Sequence, residues 1–126
     1  MRLEHTAFNV SDPIAMAAWY CTHLGLRVVH KGPAPQHCHF LADEGGGMIE
    51  IYCNPPDDIP DHANRHPLQF HLGWTSANPA ADRDLLLAVG ATLIEEGMMP
   101  DGSTLIMMRD PWGLPLQLCK RATALA

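Results

Sequence analysis

An α+β fold made of one β-α-β-β-β unit written twice is what this sequence predicts, and three observations carry the prediction. Residues 68–79 (LQFHLGWTSANP) repeat the plan of residues 3–13 (LEHTAFNVSDP) at an offset of 66, so that His5 is matched by His71, Phe8 by Trp74, Asp12 by Asn78 and Pro13 by Pro79. Each of these stretches is followed by a segment with helical apolar spacing, and each such segment by three short runs with strand alternation. A repeat of about 66 residues is supersecondary in scale, larger than a solenoid turn.

The elements follow in order. Residues 2–10 read as the first strand, and Ser11, Asp12 and Pro13 supply a cap and a first-turn proline for a helix whose apolar positions are Ile14, Ala17, Ala18, Cys21 and Leu24. Gly25 stops that helix. Residues 26–30, 36–42 and 47–53 read as three further strands, separated by the turn at 32–35 and by the Asp43, Glu44, Gly45, Gly46 cluster. Residues 54–67, with four prolines and three aspartates, have no apolar period and read as a linker. In the second unit, residues 67–75 read as a strand and Asn78-Pro79 open a helix with Leu85, Leu86 and Val89 on its stripe, ended by Gly90. Residues 91–95, 103–109 and 114–120 are its remaining strands, the last two joined by the turn Asp110-Pro111-Trp112-Gly113. The resulting division is module one at 1–53, linker at 54–66, module two at 67–121 and a tail at 122–126.

Bulk properties narrow the function. With 126 residues and 47% hydrophobic content the chain can build a real core. A net charge of −6 without any basic run disfavours nucleic acid and anionic membranes as partners and favours small molecules. There is no apolar leader and no run near the roughly 20 apolar residues that a membrane helix needs, so the expected location is cytoplasmic. Cys21, Cys38, Cys53 and Cys119 lie far apart with no Cys-x-x-Cys spacing, which reads as buried reduced thiols rather than a disulfide framework.

If each helix covers one face of its sheet, alternation tells which residues point the other way. In residues 47–53, Ile49, Ile51 and Cys53 are covered while Met48, Glu50 and Tyr52 are open. In residues 114–120, Leu114, Leu116 and Leu118 are covered while Pro115, Gln117 and Cys119 are open. Glu50 and Gln117 thus match at an offset of 67, and His5 and His71 join them on the open faces. A lone strand histidine is commonly a hydrogen-bonded structural residue, and Gln117 could simply line a polar cavity. A half-buried glutamate needs a partner, however, and four matched positions carrying two imidazoles, a carboxylate and an amide oxygen can ligate a divalent metal. His37 and His39 read first as exposed strand polarity, with an acid–base role second. His62 and His66 read as loop residues, and residues 97–102 as a hairpin connection ahead of a substrate-covering lid.

The motifs MRLEHTAFNVSDP, MIEIYCN, LQFHLGW and RDPWGLPLQLCK together resemble the vicinal oxygen chelate superfamily, which includes glyoxalase I, bleomycin-resistance proteins, fosfomycin-resistance enzymes and type I extradiol dioxygenases. The four-point pattern most resembles glyoxalase I. The resemblance implies two βαβββ modules with facing mixed sheets and helices outside, and one divalent ion (Zn, Ni, Co, Mn or Fe(II)) held by His5, Glu50, His71 and Gln117. It further implies a small substrate chelating through adjacent oxygens, with Asn9, Tyr52, Asn54, Met98 and Met99 expected along its pocket. Two departures stand out: glyoxalase I has a glutamate at the position of Gln117, and its bacterial members have an arginine at that of Asn9. Glu50, the one carboxylate among the four, is therefore the expected catalytic base of a lyase or isomerase. The alternatives are an extradiol-type dioxygenase and a metal-free antibiotic-binding protein of the bleomycin-resistance kind. Related proteins pair modules within or between chains, and the linker is long enough to expect a homodimer in which His5 and Glu50 meet the His71 and Gln117 of the other copy.

Overall fold

The computed structural model describes residues 1–125, which divide into two compact units, Met1–Pro60 and the chain from Asp61 onward. In the first, β1 (Thr6–Asn9), α1 (Pro13–Leu24), β2 (Arg27–Lys31), β3 (His39–Ala42) and β4 (Met48–Tyr52) form a sheet of order β1-β4-β3-β2. The first strand runs parallel to the last, and the remaining pairs are antiparallel. The second unit holds β5 (Leu72–Thr75), α2 (Pro79–Ala88), β6 (Thr92–Met98), β7 (Thr104–Arg109) and β8 (Pro115–Lys120) in the order β5-β8-β7-β6, again with its first and last strands parallel. The α+β architecture of two four-stranded mixed sheets is the one the sequence predicts. Among the described residues no helix is long and apolar enough to cross a membrane.

The repeat extends to backbone detail. Asp12 Oδ1 accepts the Ala15 N–H at 3.0 Å and Asn78 Oδ1 accepts the Ala81 N–H at 3.3 Å, each cap being followed by proline. Gly25, at φ 73, takes the left-handed conformation that terminates α1. The outer antiparallel strand of each sheet, β2 or β6, carries a bulge, at Val29 between the pairs Val28–Leu41 and His30–Phe40, and at Ile94 between Leu93–Met108 and Glu95–Met107. These bulges have no sequence signature.

Helix α1 packs on β2, β3 and β4, burying Met16, Ala17 and Tyr20. The expected stripe is therefore corrected: Ile14 is exposed, and the two largest side chains of the helix that vanish from solvent are Met16 and Tyr20. The segment PIAMAAWYCTHL is apolar nearly all round, so spacing alone does not choose its buried face. Each large side chain removed from water contributes about 1.5–3 kcal/mol, so burying Met16 and Tyr20 stabilises this orientation of the helix. In α2 only Leu86 of the expected stripe is buried, and Leu85 faces out. Leu116 and Leu118 of β8, with Ile106 and Met108 of β7, make the covered face of the second sheet as alternation requires.

Three further expectations change. The strand read over residues 67–75 is only Leu72–Thr75, because residues 67–70 form a turn in which the Gln69 N–H donates to His66 O at 2.9 Å. Pro67 has no N–H to contribute to a ladder, which favours the turn there. Strand β3 starts at His39, and His39 is buried rather than exposed, its Nδ1 bonded to His37 O at 2.6 Å, while His37 sits at φ 48 outside the strand. β6 extends to Met98, and the Met99 N–H donates to Ser103 O at 2.8 Å, so residues 97–102 are a hairpin end. The four cysteines are free, as expected, but half-buried rather than buried.

Residues 54–67 are held to both units. Asn9 Nδ2 donates to Pro55 O at 2.8 Å and to Asp58 O at 3.0 Å, whereas Arg109 donates to His62 O at 2.8 Å and to Arg65 O at 2.7 Å. His62–Asn64 form a short 3-10 turn that lies against Gly113. Gly113, at φ 88, leaves no room for a side chain, since a Cβ there would lie 2.6 Å from Ala63 Cα and Cβ; Gly46, at φ 89, has nothing within 4 Å. Gly113→Ala is expected to cost at least about 3 kcal/mol, clash adding to left-handed strain, against about 1 kcal/mol for Gly46→Ala, where strain acts alone. Urea unfolding checks this, and equal costs would mean that residues 62–64 do not dock on the turn.

Candidate metal and substrate site

The candidate residues lie on the open faces, two in each unit. In the first, the β1–β4 register sets Ala7 opposite Glu50 and Asn9 opposite Tyr52, while Phe40 of β3 flanks Glu50 on the other side. His5 immediately precedes β1 and continues the alternation of Ala7 and Asn9. Its Nε2 lies 3.3 Å from Glu50 Oε2 and its Nδ1 3.1 Å from Glu4 Oε2, with the Phe40 ring edge-on at 5.2 Å. A carboxylate only accepts, so the Nδ1 proton points to Glu4, and Nε2 meets Glu50 either with its lone pair, which calls for a cation between them, or with a second proton.

The other Glu50 oxygen, Oε1, accepts the Cys38 thiol at 3.2 Å. Burial, then this hydrogen bond and the Glu50 charge, push the Cys38 thiol up to about 11. Cys38 and Glu4 escaped the sequence reading, which weighed the histidines of the 36–39 segment instead. The usable signal was parity, since Cys38 alternates with Phe40 and so shares the face of Glu50. Beside this group, a shallow apolar cavity of about 280 Å³ is lined by Glu4, Val29, His30, Phe40 and Met48.

The second unit repeats the arrangement with a neutral group. The β5–β8 register sets Gly73 opposite Gln117 and Thr75 opposite Cys119, and His71 immediately precedes β5. His71 Nδ1 donates to Pro67 O at 3.0 Å, so the neutral form of this imidazole presents its lone pair at Nε2. Cys119 Sγ donates to Gln117 Oε1 at 3.4 Å, and burial raises its pKa. In both units, then, a thiol donates to the oxygen of the candidate ligand on the last strand.

The structure brings His5 and Glu50 together, whereas Gln117 stands opposite Gly73 and His71, just ahead of β5, is bonded to Pro67 O. Among the described residues no three His, Cys, Asp or Glu side chains gather around one point. Of the expected pocket residues, Asn9 spends its amide on the 55–58 backbone and its Oδ1 accepts the Asn54 N–H at 2.7 Å, so this pair also holds the end of the first unit. Tyr52 is half-buried on the open face, and Met98 and Met99 are exposed at the β6–β7 hairpin.

Each unit by itself offers donors of a kind that divalent ions take: an imidazole anchored through Nδ1, the arrangement that fixes tautomer and ring orientation in metal-bound histidines, with a carboxylate oxygen in the first unit and an amide oxygen in the second.

The fold and these matched pairs define a class, and the chain belongs to it: the Glyoxalase-like domain family, matched over residues 5–119, within the vicinal oxygen chelate superfamily. The chain is 27% identical to lactoylglutathione lyase of Salmonella typhimurium over 132 aligned positions covering 98% of this chain and 96% of that one. Its fold is similar to a glyoxalase family protein from Bacillus cereus, with a TM-score of 0.78 at 16% identity, over 94% of this chain and 93% of that one. It is also similar to an antibiotic binding protein from Streptomyces sp. CB03234, with a TM-score of 0.71 at 17% identity and the same coverage, 94% and 93%.

Because Glu50 raises the Cys38 pKa, the thiolate fraction at pH 8.5 is held down, and removing the carboxylate charge increases it. Glu50→Gln in metal-free protein is expected to speed Cys38 alkylation by iodoacetamide several-fold at that pH, while burial keeps it slower than in the unfolded chain. Peptide mapping by mass spectrometry measures it; an unchanged rate would show that the two side chains do not interact.

Proposed function

We propose that this chain is a metal-dependent, glyoxalase-like enzyme of the lyase or isomerase type, acting on a small substrate with vicinal oxygens. The observation that carries the reading is the approach of His5 Nε2 to Glu50 Oε2, 3.3 Å apart. With the Nδ1 proton directed to Glu4, the two lone pairs repel unless a cation or a second proton lies with them. A divalent ion answers that need. In this reading His5, Glu50, His71 and Gln117 are its ligands, and a second copy of the chain contributes the pair that completes each set. When bound, the ion supplies Lewis acidity toward the two substrate oxygens.

The residues of the chain divide the remaining work. Gln117 cannot take a proton, so proton transfer next to a carbonyl falls to Glu50. Cys38 holds one carboxylate oxygen by its thiol, which orients the other toward His5. Phe40 and Met48 give the neighbouring shallow cavity an apolar wall against which the body of a substrate can lie.

A second reading is a metal-free small-molecule binding protein. It is favoured by the alternative way of closing the His5–Glu50 contact, with a proton that makes an imidazolium–carboxylate pair. The two are separated by ions alone. Untagged protein prepared without chelator is expected to be stabilised by several degrees by at least one of Ni, Co, Zn, Mn and Fe(II), with the gain lost in His5→Ala and in His71→Ala. Gln117→Glu, which adds an anionic ligand of the same length, is expected to tighten that ion at least about tenfold. Absence of any shift, with far less than one metal per chain by elemental analysis, leaves the binding-protein reading. The assembly is checked separately: light scattering at micromolar concentration is expected to give twice the chain mass, and a monomer refutes the two-copy site.

A further inference from the structure

A second, larger cavity of about 540 Å³ lies wholly within the second unit, at the carboxyl ends of the parallel pair β5 and β8. Gly73, Thr75, Cys119, Lys120, Arg121 and Leu125 are among its lining residues. The ends of adjacent parallel strands are a common place for ligands, because the chain diverges there and leaves a crevice. At this point the Ser76 N–H makes the last bridging bond, to Cys119 O at 2.9 Å, and the chain turns into α2.

Its chemistry is specific. The chain carries a net charge of −6, yet the described residues that line this cavity include two consecutive cations and no acidic side chain. The other arginines with defined partners are spent: Arg83 on Asp84 and Glu96, and Arg109 on three backbone carbonyls. The acid that senses the Arg121 charge is Asp101, and both its oxygens already accept from Ser103, at 2.8 Å from the N–H and 3.0 Å from the hydroxyl. Gly73 leaves the room open, since a Cβ there would meet only Cys119 Sγ, at 3.9 Å.

We infer that this cavity binds a small organic anion, its carboxylate or other singly charged acid group held by Arg121 and Lys120 and its apolar body lying along Gly73 toward Leu125. A volume of about 540 Å³ is that of an ordinary small-ligand pocket and suits a ligand larger than acetate. The inference does not depend on a metal at His5, Glu50, His71 and Gln117, and its test is made without one.

Isothermal titration of the full chain in EDTA with 2-naphthoate and with its neutral isostere 2-naphthamide decides it. Naphthoate is expected to bind with a Kd below about 1 mM, at least tenfold more tightly than the amide, and to weaken with added salt. Arg121→Gln and Lys120→Gln, both surface changes, are expected to remove most of that preference. Gly73→Val, a β-branched residue in a strand and pointing into the room, is expected to abolish binding of both probes without unfolding the protein. Equal affinity for acid and amide, no binding of either at 5 mM, or full binding in Gly73→Val overturns the inference.

Discussion

The parallel pairing of the first and last strands of each unit is the constraint on which everything else rests. Parallel neighbours cannot be joined by a tight turn, so a crossover is required, and here it comprises a helix and two antiparallel strands. The register it locks sets Ala7 beside Glu50 and Gly73 beside Gln117. A slip of one residue would exchange the faces, sending Glu50 in among Ile49 and Ile51 and its partners out to solvent. An uncompensated carboxylate in that core would be prohibitive, so the same hydrophobic burial that stabilises the sheet also selects the register that assembles the site.

The two halves then differ in charge rather than in geometry. Each has an imidazole anchored through Nδ1 and a thiol that donates to an oxygen on the last strand. On one side that oxygen belongs to a carboxylate whose other oxygen faces His5 Nε2, and on the other to a neutral amide. A duplicated scaffold thus leaves one half electrostatically demanding and the other permissive. The cationic end of β8 adds a third environment of opposite sign, a few residues further along the same strand.

Residues outside the elements are organised by polar side chains that bond to backbone. Asn9 ties down 54–58, and Arg109 ties down 62–65, with Asp110 Oδ1 accepting the N–H groups of Trp112 and Leu114 to hold the turn between. Each such bond satisfies a carbonyl or N–H group that the irregular chain would otherwise leave unpaired. Asn9, which the sequence places on the site's sheet face, thereby has a structural task as well.

By itself the sequence determined the duplicated βαβββ plan, the caps at Asp12 and Asn78, and the alternation that puts Glu50 and Gln117 at matching places on the last strands, because periodicity and capping are local properties that residue type and spacing report. It did not determine which face of α1 is buried, where the strand before Trp74 begins, or that His39 lies in the core, since each depends on what packs or bonds across the chain. Cys38 and Glu4 show the limit most clearly. Parity puts Cys38 on the face of Glu50 but names no partner for it, and only the tertiary fold carries it to an oxygen of Glu50 and turns Glu4 to His5, because hydrogen bonds are decided by distances of about 3 Å that alternation along a strand does not specify.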